Sequence, residues 1–278
     1  MCTNVTNYRM WSLVVVLLGL PQMSFGEGIV WERLADGLAV SVWNPGGACP
    51  TVPAMLAIDV DPEIARFSVH YYADEKLPRP LTIDQWKKRT GHDVLFNAGL
   101  FRENYAYLGL LYKGGRSLGS RRHTTWQGLF VAEPVSAGVQ KARVLDLSFD
   151  RFDEKQPMYQ EAAQALMLFD RSGKIRVRQT GKQAYQTIVA ETEKGHILIF
   201  KSRNLTALYD VAQCLRDLVP TIQQAMAMDG GSSSDMLVSE VLWRDDRKTD
   251  DHVSWKALFG GNMAAHIPLP TIIGISLR

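Results

Sequence analysis

Short apolar segments bounded by turn residues are the feature of this sequence that most restricts its fold. Residues 66–72 alternate apolar and polar side chains as in a half-buried strand, and residues 270–278 have the composition of a closing strand. The turn sequence DRSGK at residues 170–174 predicts that strand 165–169 pairs with residues 175–178 as a hairpin. The chain is therefore expected to build a β-sheet from many short strands.

Helical patterns are clearest in two stretches of the sequence. Thr82 and Gln85 stand at the spacing of a capping box and start a short helix over residues 82–90. A second helix over residues 206–219 places its apolar side chains on one face. Together these patterns predict the α+β class: a mixed, twisted β-sheet with a few packed helices, in a single domain over residues 27–278.

Two of the predicted strands end in the same kind of sequence. Apolar residues 94–96 run into residues 97–99 (Asn-Ala-Gly), and residues 225–228 run into residues 229–231 (Asp-Gly-Gly). A helix precedes each strand, and in sheets fed by helices ligands bind beyond the carboxyl ends of the strands. We therefore expect the two strand ends to lie close together and to share a pocket.

The N-terminal segment has the layout of a secretory signal peptide. Arg9 precedes an apolar run, Pro21 interrupts it, and Ser24 and Gly26 supply small residues before a cleavage point. The apolar run is about a dozen residues long, shorter than the roughly 20 residues that span a bilayer. We predict a signal peptide over residues 1–26, a secreted or periplasmic location and no stable membrane insertion after cleavage. An uncleaved membrane anchor is the alternative.

Charge and cysteine content narrow the function classes. The formal net charge of +2 gives no basic field of the kind that binds nucleic acid. Of the three cysteines, Cys2 lies in the predicted signal peptide, and Cys49 and Cys214 remain. In an exported protein these two either form one disulfide or stay as free buried thiols. The absence of a CxxC motif or a Cys/His cluster in the sequence argues against a structural zinc site.

Four stretches, in this order, resemble the phosphodiester glycosidase domain family. They are residues 96–101 (FNAGLF), residues 164–175 (QALMLFDRSGKI), the helix 206–219 and residues 226–238 (MAMDGGSSSDMLV). The family comprises exported proteins similar to N-acetylglucosamine-1-phosphodiester α-N-acetylglucosaminidase, and its usual motifs are Asn-Gly-Gly-Phe-Phe early and Asp-Gly-Gly-Gly-Ser late. The resemblance extends over roughly residues 54–278.

The resemblance carries site positions over to this chain. Asn97 and Gly99 match the early motif, and Gln164 matches a glutamine that commonly opens the middle strand of the family. The positions that match the late motif are Asp229, Gly230, Gly231 and Ser233.

The chain also departs from the family pattern. Ala98 stands where glycine is usual, Leu100 where an aromatic residue is usual, and Ser232 where the third glycine is usual. The family often has an arginine before a threonine ahead of its next strand, and this chain has Gln186 and Thr187 there. If that arginine contacts the phosphate in the family, its absence argues against activity on the usual phosphodiester.

The resemblance implies cleavage of a sugar from a sugar-1-phosphodiester or a related envelope or exopolysaccharide carbohydrate. That reaction needs a carboxylate near the anomeric carbon, donors for the phosphate and a positioned water. Asp229 is the candidate carboxylate, as base, nucleophile or stabiliser of the oxocarbenium ion, and Asn97 and Glu103 complete the catalytic candidates. Alternatively, Asp229 holds a divalent cation, because such ions prefer oxygen ligands. No other cofactor is indicated.

The substrate-binding candidates could expose donors to an anion. Glycines and serines of the late motif leave successive backbone N–H groups unobstructed. Each candidate also has a purely structural alternative: Asp229 as a turn cap, Asn97 in an Asx-turn, Glu103 as a solvated loop residue, and the late motif as a flexible loop. The full binding set is Gly99, Gln164, Gly230, Gly231, Ser232 and Ser233.

Three functions compete on this sequence. The first is an exported hydrolase with a carbohydrate or sugar-phosphate substrate. The second is a catalytically silent carbohydrate-binding or exopolysaccharide-assembly protein on the same fold. The third is an exported serine esterase, which ranks last because the sequence has no Gly-x-Ser-x-Gly elbow around the serines of the late motif.

Overall fold

The computed structural model describes residues 29–242 and 266–278, so the predicted signal peptide lies outside the described residues. The helices are α1 (Ile83–Thr90) and α2 (Leu208–Leu218). The strands are β1 (Glu32–Ala35), β2 (Leu38–Trp43), β3 (Met55–Val60), β4 (Ala65–Tyr71), β5 (Val94–Asn97), β6 (Leu111–Lys113), β7 (Arg116–Ser117), β8 (Gly128–Pro134), β9 (Ala142–Asp146), β10 (Tyr159–Phe169), β11 (Gln183–Ala184), β12 (Thr187–Thr192), β13 (Ile197–Ser202), β14 (Thr206–Ala207), β15 (Ile222–Ala227), β16 (Met236–Val238) and β17 (Thr271–Leu277).

The strands form a large sheet, a small sheet and a short ribbon. The large sheet has the order β1-β2-β3-β13-β12-β15-β10-β6-β7, and β8 joins it by pairing with both β10 and β9. The small sheet has the order β16-β5-β17-β4, and β11 pairs with β14 as a two-stranded ribbon. The two strands whose ends carry the candidate motifs, β5 and β15, therefore belong to different sheets.

The predicted α+β class is confirmed, but the predicted mixture of parallel and antiparallel strands is wrong. The strand pairs of the described residues are antiparallel. Parallel neighbours need a crossover connection, usually a helix. Here α2 leads from β14 into β15, and β15 lies antiparallel between β12 and β10, so this helix creates no parallel pair.

The described residues form four layers. The two sheets face each other across the main core. There the rings of Phe67 on β4 and Phe130 on β8 pack edge to face, with their centroids 5.2 Å apart. Helix α2 covers the other side of the large sheet through residues such as Val211, which packs in one cluster with Phe200. Helix α1 covers the outer side of the small sheet, with Trp86 fully buried. Apolar burial of this kind supplies most of the free energy that favours folding.

Both predicted helices form, close to their expected bounds. The capping box at the start of α1 is present: the Thr82 hydroxyl accepts from the Gln85 N–H, and the Gln85 side chain accepts from the Thr82 N–H. Gly91 ends the helix in the left-handed conformation at φ 73°. Helix α2 begins at Leu208 rather than residue 206, because Thr206 pairs in the short ribbon.

Of the predicted hairpin after residue 169, only the turn and the first paired residues form. A single bridge joins Phe169 to Ile175, and residues 175–178 form no strand. Beyond the bridge, the Arg176 N–H still donates to the Leu168 carbonyl at 2.9 Å, and the Arg176 guanidinium reaches the Asp146 carboxylate at 2.7 Å. Strand β10 pairs instead with β15, β8 and β6.

A disulfide joins Cys49, which follows β2, to Cys214 on α2, with their Cα atoms 6.0 Å apart. This decides between the two alternatives that the sequence left open. The bond fastens α2 to the far end of the large sheet. Within the described residues, no helix is both long and apolar enough to cross a bilayer.

Candidate functional site

The structure brings the two motif-bearing strand ends together. The side-chain amide of Asn97, at the end of β5, donates from Nδ2 to the backbone carbonyl of Asp229 at 2.8 Å. The backbone N–H of Asp229, just after β15, donates to the carbonyl of Ala98 at 3.1 Å. The predicted proximity therefore arises at the junction of the two sheets rather than between neighbours in one sheet.

Asn97 acts as the hub of this junction. Its Oδ1 accepts from the hydroxyl of Thr187 at 2.8 Å and from the backbone N–H of Asp235 at 3.0 Å. Its Nδ2 also donates to the Ala98 carbonyl at 3.1 Å. Only 1% of the residue is exposed. Because an asparagine side chain offers two donors and one carbonyl acceptor, these contacts occupy it, and we interpret Asn97 as a positioning residue.

Asp229 is the partly buried carboxylate of the site. Burial raises the pKa of its carboxyl group from 3.8 to about 6, because removal from water disfavours the charged form. Hydrogen bonds from the Ser233 side chain and the Gly230 N–H act in the opposite direction and lower the pKa. The group is therefore mainly ionised at neutral pH and takes up a proton in mildly acidic conditions. A carboxyl group that titrates in this range can act as an acid, a base or a stabilising anion.

The backbone of Tyr185 packs closely against the two glycines of the late motif. Gly231 adopts φ +70°, and its N–H donates to the Tyr185 carbonyl at 2.8 Å. A Cβ atom at Gly230 would lie 2.9 Å from the same carbonyl oxygen. The N–H groups of both glycines thus have partners within the protein, Gly230 with Asp229 and Gly231 with Tyr185. Ser232 is exposed on the turn, and its neighbour Ser233 is buried.

Gly99 lies where the early motif meets β10. Its N–H donates to the hydroxyl of Tyr107 at 3.1 Å, and that hydroxyl donates to the backbone carbonyl of Gln164 at 2.8 Å. A Cβ atom at Gly99 would lie 2.3 Å from the Tyr107 hydroxyl. Glycine is therefore required here by close packing between the two segments.

Gln164 organises a loop beside the site. Its side chain is fully buried, and Oε1 accepts from the N–H groups of Leu110 and His123 at 3.0 Å each. Its Nε2 donates to the carbonyls of His123 and Trp126. These contacts hold the loop against β10 and leave the amide engaged with backbone. Whether Gln164 also contacts a substrate stays a prediction.

Glu103 lies apart from this network. It is exposed in a turn that is closed by hydrogen bonds between Arg102 and its neighbours Tyr105 and Ala106. Within the described residues, no hydrogen bond links it to Asp229. Its catalytic role remains a prediction that this geometry does not favour.

Four further residues belong to the network and are absent from the predicted site residues: Thr187, Ser234, Asp235 and His266. The Thr187 hydroxyl bridges Asn97 and the Ser234 hydroxyl, at 2.8 Å from each. The Asp235 carboxylate, whose pKa is raised by burial, bonds Nδ1 of His266 at 2.7 Å. Asp235 lies within the matched residues 226–238, and Thr187 stands at the threonine of the family pattern beside Gln186, so the resemblance could have pointed to both. No pattern in the sequence marks His266.

Metal ligation is not evident from the side chains. Among the described residues, no group of three or more His, Cys, Asp and Glu side chains is arranged to hold a metal ion. The predicted possibility of a divalent cation at Asp229 is therefore left to a chelation experiment.

Comparisons with known proteins agree with the motifs. The sequence model of the phosphodiester glycosidase family matches residues 90–275. A hypothetical protein from Synechocystis superposes with a TM-score of 0.59 at 12% identity, over 91% of this chain and 64% of that chain, so this chain spans less than two thirds of that protein. A comparison with curated protein sequences gives no match.

Two other solved structures share the fold. The zebrafish N-acetylglucosamine-1-phosphodiester alpha-N-acetylglucosaminidase catalytic domain, auto-inhibited by its pro-peptide, has a TM-score of 0.55 at 14% identity, covering 87% of this chain and 89% of that chain. A putative exported protein from Burkholderia pseudomallei has a TM-score of 0.51 at 10% identity, covering 82% and 76%. At these identities, the structural likeness shows the fold alone.

Proposed function

Because this chain belongs to the phosphodiester glycosidase family, we propose that it is an exported glycosidase that releases a sugar from a sugar-1-phosphodiester. Family membership supports a hydrolase of phosphodiester-linked sugars. The finer elements of the proposal are the bond that is cleaved, the catalytic carboxylate and export. Export rests on the signal-peptide layout of residues 1–26.

The observation that carries the proposal is the placement of Asp229. Its carboxylate is partly buried where the two sheets meet, with a pKa of about 6 and donors from Ser233 and Gly230. Glycoside cleavage passes through a transition state in which positive charge develops at the anomeric carbon. A fixed and partly desolvated carboxylate stabilises such charge without reorganising during the reaction.

The reaction places modest demands on the protein. The bond between the anomeric carbon and its oxygen breaks, and the phosphate monoester leaves with the bonding electron pair. Water then adds to the anomeric carbon and releases a proton to the solvent. Because a phosphate monoester is a good leaving group, the reaction needs less protonation than an ordinary glycoside does, and one well-placed carboxylate is the main requirement.

The surrounding network supports this role by holding the carboxylate in place. Asn97 ties the backbone of Asp229 to the end of β5, and Thr187 and Asp235 in turn fix the Asn97 amide. Catalytic groups need positioning by neighbours that are themselves fixed. We expect Asn97→Ala to lower kcat more than it raises KM, because it disturbs geometry rather than contact with the substrate.

The experiment measures release of sugar and phosphate monoester from a panel of sugar-1-phosphodiesters. It compares the mature protein with Asp229→Asn and with Asp217→Asn, a control at an exposed position on α2. We expect turnover by the wild type and the control, and a loss of at least about a hundredfold in Asp229→Asn. Retained activity in EDTA indicates carboxylate catalysis, and activity lost in EDTA and restored by a divalent cation indicates the metal alternative.

A second candidate function is carbohydrate binding or exopolysaccharide assembly without catalysis. It is favoured by Gln186, which stands where the family often has arginine and whose Nε2 donates to the carbonyls of Ala184 and Thr206. Saturable sugar binding by a folded protein that turns over no member of the panel would support this candidate over the hydrolase.

A further inference from the structure

Lys201 on β13 lies beside the candidate site although no motif includes it. Its Cα is paired with that of Thr187 on β12. Side chains of directly opposite residues in an antiparallel pair lie on the same face of the sheet. Thr187 bonds both Asn97 and Ser234 through its hydroxyl. The lysine side chain therefore starts next to the hydrogen-bond network that holds Asp229.

The ammonium group of Lys201 is buried without a hydrogen-bond partner in the part of the chain that the structure describes. Only 3% of the residue is exposed, and Nζ makes no hydrogen bond there. Nζ lies 5.4 Å from the centroid of the Tyr185 ring. The Tyr185 backbone also accepts the hydrogen bond from Gly231. Buried charges are normally paired, so this amine calls for an explanation.

Lys201 keeps a positive charge that the neighbouring Asp235 carboxylate does not pair with directly. Burial lowers its pKa to about 8, while the Asp235 carboxylate opposes that shift, so the ammonium form prevails at neutral pH. The Asp235 carboxylate is already bonded to His266 at 2.7 Å. A bound anion would give the ammonium the partner that Asp235 does not supply.

We propose that Lys201 is the cationic group that receives the phosphate of the substrate at this site. The inference rests on the proposed function and names the group that recognises the charged part of the sugar-1-phosphodiester. It also accounts for the departure at Gln186, which is uncharged and whose amide is bonded to backbone carbonyls. The positive charge comes instead from the neighbouring strand.

The first test measures binding of inorganic phosphate and of a sugar-1-phosphate to the mature protein by titration calorimetry at pH 7. The variants are Lys201→Met, which keeps the length but removes the charge, Lys201→Arg, which keeps the charge, and Lys88→Met, an exposed control on α1. We expect Lys201→Met to weaken the Kd at least about tenfold, as for loss of a charge-assisted contact. The control and Lys201→Arg should bind within about threefold of the wild type.

Thermal unfolding separates this role from a structural one. Removal of an unpaired buried charge should leave the Tm of Lys201→Met unchanged or higher. The proposal is overturned if Lys201→Met binds as tightly as the wild type, if the wild type binds neither anion, or if binding falls only together with Tm. Phosphate binding that depends on Lys201 would support the inference even if the protein turns over no substrate. Turnover that is unchanged in Lys201→Met would contradict the inference but would leave the proposed function standing.

A kinetic comparison then links the residue to substrate charge. The ratio of kcat/KM for a sugar-1-phosphodiester to that for an uncharged aryl glycoside of the same sugar should fall at least about tenfold in Lys201→Met. An equal loss on both substrates would indicate a general disturbance of the site and would contradict the assignment.

Discussion

The hydroxyl of Ser233 should hold the pKa of Asp229 below the value that burial alone would set. The side chain bonds the carboxylate in its ionised form, and Ser233→Ala removes that donor. A hydrogen bond to a charged group contributes about 1.5–3 kcal/mol. One pKa unit corresponds to about 1.4 kcal/mol, so the loss is equivalent to about 1–2 units. Because the ionised form is the one destabilised, the pKa must rise.

We therefore expect the pKa of Asp229 to rise from about 6 to about 7 in Ser233→Ala, the lower end of the range, because water can replace part of the lost bond. The assay is a carbon NMR titration of the protein labelled at aspartate carboxyl groups, with Asp229→Asn to assign the signal. Ser232→Ala, at the exposed neighbouring position, is the matched control. The acid limb of the pH–rate profile should move by the same amount.

An unchanged pKa in Ser233→Ala, or an equal shift in Ser232→Ala, would refute this reasoning. The first result would mean that the Ser233 bond does not act on the carboxylate. The second would mean that the turn as a whole, rather than one hydroxyl, sets the environment of Asp229.

Three further predictions concern stability. Burial and the neighbouring His70 lower the pKa of His92 to about 4, so between pH 6.5 and pH 4 the unfolded state binds a proton that the folded state does not. The free energy of unfolding should therefore fall by about 2 kcal/mol between pH 7 and pH 4, after a discount for solvent screening. Urea unfolding of the wild type and His92→Gln checks this, and an equal dependence of the unfolding free energy on pH in both proteins refutes it. Cys214→Ser removes the disulfide that closes a loop of sequence separation 165, which should lower the free energy of unfolding by about 5 kcal/mol. Unfolding of the wild type with and without reductant should show the same loss of stability, and equal stability in both conditions contradicts the prediction. Gly99→Ala places a Cβ atom 2.3 Å from the Tyr107 hydroxyl and should cost about 2–3 kcal/mol, whereas Gly47→Ala, with no atom within 4 Å, should change Tm little; similar Tm values for both variants would refute the packing argument.

Local signals in the sequence predicted local structure well. The capping box at Thr82 and the glycine at residue 91 define α1, because both act within one or two turns of the helix. The turn signal at residues 170–174 marked a real turn, but the pairing after it is limited to one bridge and residues 175–178 form no strand. The Arg176 side chain bonds the Asp146 carboxylate on β9. Such long-range contacts leave no mark in a short window of sequence.

The site was predictable as a pair of strand ends but not as a network. The signal was that two apolar strands each end in a polar residue, Asn97 or Asp229, that is followed by small residues. The two strands belong to different sheets, and this arrangement follows from the sheet topology, which no local pattern encodes. Lys201 and His266 could not be predicted for the same reason. Lys201 comes close to the site because β13 pairs with β12, and His266 because its side chain bonds Asp235, a residue 31 positions earlier in the chain.

The most direct test of the central claim is to find which bond breaks. Hydrolysis of a sugar-1-phosphodiester by the mature protein in H₂¹⁸O, followed by phosphorus NMR of the released monoester, reports whether solvent oxygen enters the phosphate. The phosphate is the product to examine, because the freed sugar can exchange its anomeric oxygen with water. Attack at the anomeric carbon predicts a phosphate monoester without heavy oxygen. Heavy oxygen in the phosphate would mean cleavage of the phosphorus–oxygen bond and would contradict the assignment as a glycosidase.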